Sequence, residues 1–238
     1  MTAPPPLCAS NALFLDFDGT LAPLQDAPAG VFLSERASAA IAAANAALRG
    51  ALAIVSGRDL RDLATRTPGD VWRAGGHGLE ICPPFATPAA APPGPPSALE
   101  AAIEAAAAAA PGTVLERKGP ILAIHYRSAP AAEATVTNAV KDAVSGHSNY
   151  VMQIGKMVVE AKPADAHKGT ALKWLMGQGA FAGRKPIMVG DDVTDEDAFA
   201  AAIEMGGFAI KVGEGASAAQ HRLSGPDALA DWINHLTE

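Results

Sequence analysis

Apolar residues in this chain gather in short unbroken runs, and several runs stop abruptly at acidic or glycine-rich residues. Ala12-Leu13-Phe14-Leu15 ends in Asp16-Phe17-Asp18-Gly19-Thr20, and Ala51-Leu52-Ala53-Ile54-Val55 ends in Ser56-Gly57-Arg58. Pro186-Ile187-Met188-Val189 ends in Gly190-Asp191-Asp192. Runs of this length, bounded by turn formers, predict strands buried on both faces. Val71-Trp72-Arg73-Ala74 predicts another strand, closed by Gly75-Gly76-His77-Gly78, and 208–212 a last short one. Helical patterns fill the gaps. One is capped by Ser34 and stops at Gly50, and others cover 59–66 and 168 to about 178. Thr194 is expected to cap an acid-started helix ending near Gly206, and Pro226 opens a terminal helix reaching about Leu236. Strands alternating with helices imply βαβ units and a parallel sheet, an α/β fold.

That rhythm breaks in the middle. Seven prolines crowd residues 83–96, a density that suits neither a helix nor a sheet interior and predicts an exposed loop or linker. Ser97 and Glu100 then have capping-box spacing ahead of an alanine-rich helix to about Ala110. Strands are predicted at 113–116 and 121–126 around Lys118-Gly119, a helix at 131–144, and strands at 150–154 and 157–160 around Gly155-Lys156. This order describes an α+β unit with an antiparallel sheet, inserted into the α/β frame. The expected division is core 1–80, insertion 81–163 and core again 164–238. No repeat of 20–50 residues recurs; the alanine-rich patches are compositional bias.

Composition narrows the function. Hydrophobic residues make up 49% of the 238, enough for a substantial core, while aromatics are only 5%. Few aromatics and a net charge of −7 argue against a nucleic-acid partner, and an anionic ligand would need a local positive site. The two cysteines, Cys8 and Cys82, suggest neither a disulfide framework nor a zinc site. The opening residues carry no basic, apolar leader pattern, and no window is apolar enough for a membrane helix. The expectation is a monomeric cytoplasmic protein acting on a small molecule, with no membrane partner.

The chemistry sits at the strand ends. Side chains alternate along a strand, so Asp16 and Asp18 can point to one side. Two close carboxylates call for a cation such as Mg2+, although D-x-D-G is also compatible with a plain acidic turn. In an open parallel sheet, ligands bind beyond the carboxyl ends of the strands. There Asp16/Asp18, Ser56 and Asp191/Asp192 could converge, with Lys168 opening a helix between them. The set suits phosphoryl transfer, which needs neutralised phosphoryl oxygens and an aligned nucleophile. Asp16 would be the nucleophile and a metal ligand, and Asp18 would protonate the leaving alcohol and then activate water. Ser56 and Lys168 would hold phosphate oxygens, while Asp191 and Asp192 complete the metal site formed with Asp16 and Asp18. Gly19 and Thr20 would supply a tight turn and backbone amides.

These stretches resemble the haloacid dehalogenase superfamily of phosphatases, and more narrowly the trehalose-6-phosphate phosphatase family. The matching segments are 15–21, Val55-Ser56-Gly57-Arg58, Gly76-His77-Gly78-Leu79-Glu80, Glu116-Arg117-Lys118-Gly119 and His125-Tyr126-Arg127. Val159-Glu160-Ala161-Lys162-Pro163, Lys168-Gly169 and 190–199 complete them. The resemblance implies a Rossmann-like core with an inserted α+β cap, a Mg2+ cofactor, and hydrolysis of trehalose 6-phosphate through an aspartyl-phosphate as the cap closes over substrate. It also implies a sugar site at Glu116, Lys118, Arg127, Lys156 and Glu160, with Arg58 and His77 at the core–cap seam. The alternatives are another sugar phosphate as substrate (sucrose phosphate or mannosyl-phosphoglycerate), or a non-catalytic sugar-phosphate sensor. The proline-rich segment departs from the family pattern. Plainer readings stand beside these: Lys118 and Lys156 as solvated hairpin tips, His125 as an ordinary strand residue, and Asp195-Glu196-Asp197 as charges favouring a helix start, with Asp195 alone also a candidate to support the metal ligands.

Overall fold

The central strand, β1 (Asn11–Leu15), is buried at every position. The structure is a computed structural model describing residues 2–25 and 28–235. After β1 the chain forms α1 (Glu35–Ala47), β2 (Leu52–Val55), α2 (Leu60–Arg66), β3 (Trp72–Gly75) and the short β4 (Glu80–Cys82). The inserted part then forms α3 (Ser97–Ala108), β5 (Val114–Lys118), β6 (Ile121–His125), α4 (Glu133–Ser145), β7 (Tyr150–Gly155) and β8 (Val158–Pro163). The chain returns through α5 (Lys168–Met176), β9 (Lys185–Gly190), α6 (Glu196–Glu204), β10 (Phe208–Val212), β11 (His221–Leu223) and α7 (Pro226–Asn234). Two units result, Met1–Ala89 with His167–Glu238, and Ala90–Ala166.

In the first unit seven strands run in the order β11-β10-β9-β1-β2-β3-β4, and every neighbouring pair is parallel except β3 with β4. The strand order reverses at β1, which has β2 on one side and β9 on the other. Right-handed crossovers leaving in opposite directions put α1 and α6 on opposite faces. Accordingly α1 packs with α7, and α5 with α6. The core is filled by the strands' apolar runs, with Leu13, Phe14, Ile54, Ile187 and Met188 wholly buried. A crevice is therefore built at the carboxyl end of β1, the switch point where α/β sheets bind ligands.

Ser34 caps α1 by accepting from the Ala37 amide, and Asp59 caps α2. At the start of α3, however, Pro96 is the cap residue and Ser97 is already helical, so the expected capping box does not form. The turn after β9 differs too. Asp192, not Thr194, caps a 3-10 turn at Val193–Asp195, and α6 starts one residue later. The terminal helix is described to Asn234, and Leu236 lies outside the described residues. β4 and β11 are not among the expected strands; each has three residues, too few for a period to show.

The second unit is a four-stranded antiparallel sheet, order β5-β6-β8-β7, with α3 and α4 on one face. Leu99 and Ile103 of α3, and Val136 and Val140 of α4, meet Leu122, Ile124, Val159 and Ala161 from the strands. Alternation sends the intervening residues to the other face. Glu116 pairs in register with Ala123, Ala123 with Glu160, and Glu160 with Gln153, so one row of that face carries two carboxylates flanking an alanine.

Candidate active site

The parallel ladder continues one residue past β1, where the Asp16 amide donates to the Val189 carbonyl at 2.9 Å. That bond fixes Asp16 beside the loop that follows β9. Phe17 is buried with no exposed surface, so alternation turns the two flanking aspartates the other way. Lys168, the first residue of α5, donates from Nζ to Asp16 Oδ1 at 2.6 Å and to Asp195 Oδ1 at 2.7 Å. All three side chains are buried. Thr20 Oγ1 donates to the second Asp16 oxygen at 3.3 Å.

Oxygens of Asp16, Asp191 and Asp195 all lie within 4.8 Å of one another. Such crowding requires the two acidic loops to touch, and glycine allows it. A Cβ on Gly19, whose φ is +81°, would stand 2.2 Å from Asp191 Oδ2. One on Gly190 would stand 2.2 Å from Asp195 Cγ. Two cations offset the three carboxylates in part: Lys168, and the buried Lys211 of β10, which donates to the Asp191 main-chain carbonyl. The residual charge is visible in the acidities. Burial, with Asp195 and Asp191 adding repulsion against the pull of Lys168, holds the Asp16 carboxyl well above its usual range. Burial and then Asp195 push Asp191 up to about 6. Lys168 is raised although burial opposes its charge, because Asp16 and Asp195 hold the proton on it.

Asp191 Oδ1 is buried and has no hydrogen-bond partner among the described residues. An orphaned carboxylate oxygen, beside two further carboxylates and oxygen donors only, fits a hard divalent cation. Among the described residues, the group that could hold one is Asp16, Asp191 and Asp195. The carboxylates of Asp18 and Asp192 are engaged elsewhere. Arg58 donates from Nε and Nη2 to the two Asp18 oxygens at 2.7 and 2.6 Å, a bidentate pair. It also donates from Nη1 to Asp62 at 2.8 Å, and its guanidinium lies over the Phe17 ring. Asp192 Oδ1 accepts from the Val193 amide at 2.8 Å, and Asp195 reciprocates by accepting from the Asp192 amide at 3.0 Å.

Ser56 follows β2, is buried, and accepts from the Arg58 amide at 3.1 Å. Its carbonyl accepts from the His77 amide at 3.0 Å. His77 adopts a left-handed backbone at φ 57°, and its ring lies so near Gly57 that a Cβ there would come within 2.5 Å of Cε1. Lys211 is a site residue that the sequence pattern does not single out, and Asp195 lies nearer the centre than the supporting role the sequence suggests for it. Asp195 reads as a helix-start charge, yet it lies four residues past Asp191 across a tight turn, a spacing that returns a side chain to the same side. Lys211 could have been found as the one charge inside the run Phe208-Ala209-Ile210-Lys211-Val212.

In the second unit Lys118 Nζ donates to Glu160 Oε1 at 2.5 Å, both side chains being buried. Glu116 Oε2 lies 2.7 Å from His125 Nε2. Burial favours the neutral form of Glu116, but His125 and Lys118 outweigh it and hold the carboxyl below its usual range. Arg127 lies half-buried in the turn after β6, and Lys156 is exposed at the tip of the β7–β8 hairpin. The sheet thus brings Glu116, Lys118 and Glu160 onto one face, and Lys156 stands at its end.

A family model described as trehalose-phosphatase matches residues 14–228. The trehalose-6-phosphate phosphatase of Escherichia coli (strain K12) is 34% identical over 240 residues, covering 100% of this chain and 90% of that protein. The C-terminal domain of the C. albicans trehalose-6-phosphate phosphatase superposes with a TM-score of 0.82 at 22% identity, covering 95% of this chain and 91% of that one. A haloacid dehalogenase-like hydrolase from B. subtilis superposes at 0.64 with 14% identity, over 96% and 100% of the two chains. The likeness to these structures is one of fold: an α/β core of the haloacid dehalogenase type, with an antiparallel insertion that fits a cap.

Proposed function

The chain belongs to the trehalose-phosphatase family, and on that premise we propose that it hydrolyses trehalose 6-phosphate to trehalose and phosphate with Mg2+ as its metal. The observation that carries the reading is the buried Lys168 bridging Asp16 and Asp195 beside the orphaned oxygen of Asp191. A nucleophile, a fixed cation and an oxygen-only cation site within hydrogen-bonding reach are what phosphoryl transfer uses.

Asp16 attacks phosphorus through a carboxylate oxygen, forming an acyl-phosphate as the bond from phosphorus to the sugar oxygen breaks. Its side chain is already oriented by Lys168 and Thr20. Asp18 gives a proton to the departing sugar oxygen, then takes one from the water that attacks phosphorus and frees Asp16; this role requires Arg58 to release one of the two Asp18 oxygens it holds when substrate binds. Lys168 and Ser56 hold phosphoryl oxygens, with Gly19 and Thr20 contributing main-chain amides. Asp16 and Asp191 would hold the metal with Asp195 beside them, and the ion would neutralise charge on the transferring group. No intermediate charge then has to form in a site that only repels it.

The charged face of the inserted sheet reads the sugar in this proposal, through Glu116, Lys118, Arg127, Lys156 and Glu160. Sugar hydroxyls bind charged groups well, and an analogue lacking a hydroxyl would leave such groups unpaired. Arg58 and His77 belong to the same reading as substrate-side residues, and the enzyme acts as a cytoplasmic monomer. No helix among the described residues is long and apolar enough to cross a membrane. The test is phosphate release from a panel of sugar phosphates with and without Mg2+. Release from trehalose 6-phosphate at least tenfold faster than from the other sugar phosphates is expected, and equal rates across the panel would remove trehalose from the proposal.

A further inference from the structure

The two carboxylates on the charged face of the cap sheet are not equivalent. Glu160 is buried and pairs with the equally buried Lys118. Glu116 keeps 43% of its side chain exposed, and one oxygen, Oε2, meets His125 Nε2 at 2.7 Å. The strand register explains the contact. Glu116 lies opposite Ala123 and His125 opposite Val114, so the pair is a cross-strand diagonal on the same face. Diagonal neighbours stand roughly 7–8 Å apart at their backbones, a span that Glu and His side chains together bridge. Ala123 between the two carboxylates is too small to steer either of them. The second Glu116 oxygen has no hydrogen bond among the described residues that would fix it.

We propose that His125 is a positioning residue for sugar recognition, pinning one oxygen of Glu116 so that the other is presented to a substrate hydroxyl. The inference rests on the reading of Glu116 as a sugar contact and adds a residue to it. A flexible, part-exposed glutamate loses side-chain freedom when it grips a ligand, a cost that weakens binding. A carboxylate already held by an imidazole has met that cost during folding, and its acceptor direction is set before the sugar arrives. His125 need not touch the substrate.

A double-mutant cycle tests this with trehalose 6-phosphate and p-nitrophenyl phosphate as the two substrates. His125→Leu is expected to lower the preference for trehalose 6-phosphate over the aryl phosphate by about tenfold, chiefly through KM, an effect of about 1.4 kcal/mol. On a Glu116→Gln background the same change should add less than twofold, because the carboxylate it positions is gone. His125→Gln, which keeps an N–H donor, should recover most of the preference. Equal tenfold losses in both backgrounds, or no loss from His125→Leu in the wild type, overturn the proposal. A wild type that cleaves the aryl ester but not trehalose 6-phosphate fails the functional reading, and this inference with it.

Discussion

The Nζ of Lys168 lies 2.6 Å from Oδ1 of Asp16, although 152 residues separate them. The same ammonium reaches Asp195 at 2.7 Å, so one buried cation holds two buried anions. Removing that cation is therefore a severe change. Lys168→Met should destabilise the protein by about 3–5 kcal/mol, the usual penalty for leaving a buried charge without its partner. Chemical denaturation in EDTA measures it, and a loss below about 1 kcal/mol would show that water already solvates the two carboxylates.

Asp16→Asn acts in the opposite sense on stability. It deletes one of three crowded carboxylates while keeping the shape of the side chain. Phosphate release should fall by at least about a thousandfold, as expected for loss of a covalent nucleophile, while the melting temperature of the metal-free protein holds or rises. Ordinary turnover in this variant would require another nucleophile.

Asp191 sets a pH dependence. Its ordinary carboxyl value is 3.8 and its folded value about 6. Below 3.8 the folded and unfolded chains both carry the proton, and between there and about 6 only the folded chain retains it. Metal-free stability should therefore gain an Asp191-dependent decline as pH rises through that window, levelling off above it. Thermal unfolding of the wild type and Asp191→Asn in EDTA, at pH 5 and pH 7.5, isolates the contribution. The Asn variant should lose less stability between the two pH values. Mg2+ should stabilise the wild type at the higher pH and leave the variant unmoved. Parallel curves for the two proteins would mean that the decline arises from groups other than Asp191.

Lys118 and Glu160 form a pair whose members cannot be judged singly. Lys118→Met alone leaves a buried glutamate charge, and Glu160→Gln alone leaves a buried ammonium; each should cost about 3–5 kcal/mol. The double variant should be more stable than either single one, yet its preference for trehalose 6-phosphate over an aryl phosphate should still fall at least tenfold. A double variant with wild-type preference would leave the pair a purely structural role.

Much of this is readable in the chain because the core strands are buried on both faces. Runs such as Ala51–Val55 have no polar position to blur them, and each is ended by a residue of the candidate site. What escapes depends on contacts between distant segments. Asp195 reads chiefly as a helix-start acid with a supporting role at most, and only the fold brings Lys168 to it from the start of α5. Arg58's grip on Asp18, and the pairing of Glu116 with His125, depend on register and rotamer, which periodicity does not carry. Ser97 has the spacing of a cap, but Pro96 already occupies the cap position with its fixed backbone angle, so the serine falls inside the helix.

The amide of Asp16, the proposed nucleophile, belongs to the sheet ladder, bonded to Val189 at the middle of a seven-stranded core. Moving the main chain that carries that carboxylate would mean breaking the pairing of β1 with β9. On the proposed reading, evolution toward a different leaving group would leave this anchored strand end alone and act on residues such as Glu116, Ala123 and Gln153, which share a row of a separate sheet. Selectivity would then drift by single substitutions on that sheet while the bond-breaking apparatus stays as it is.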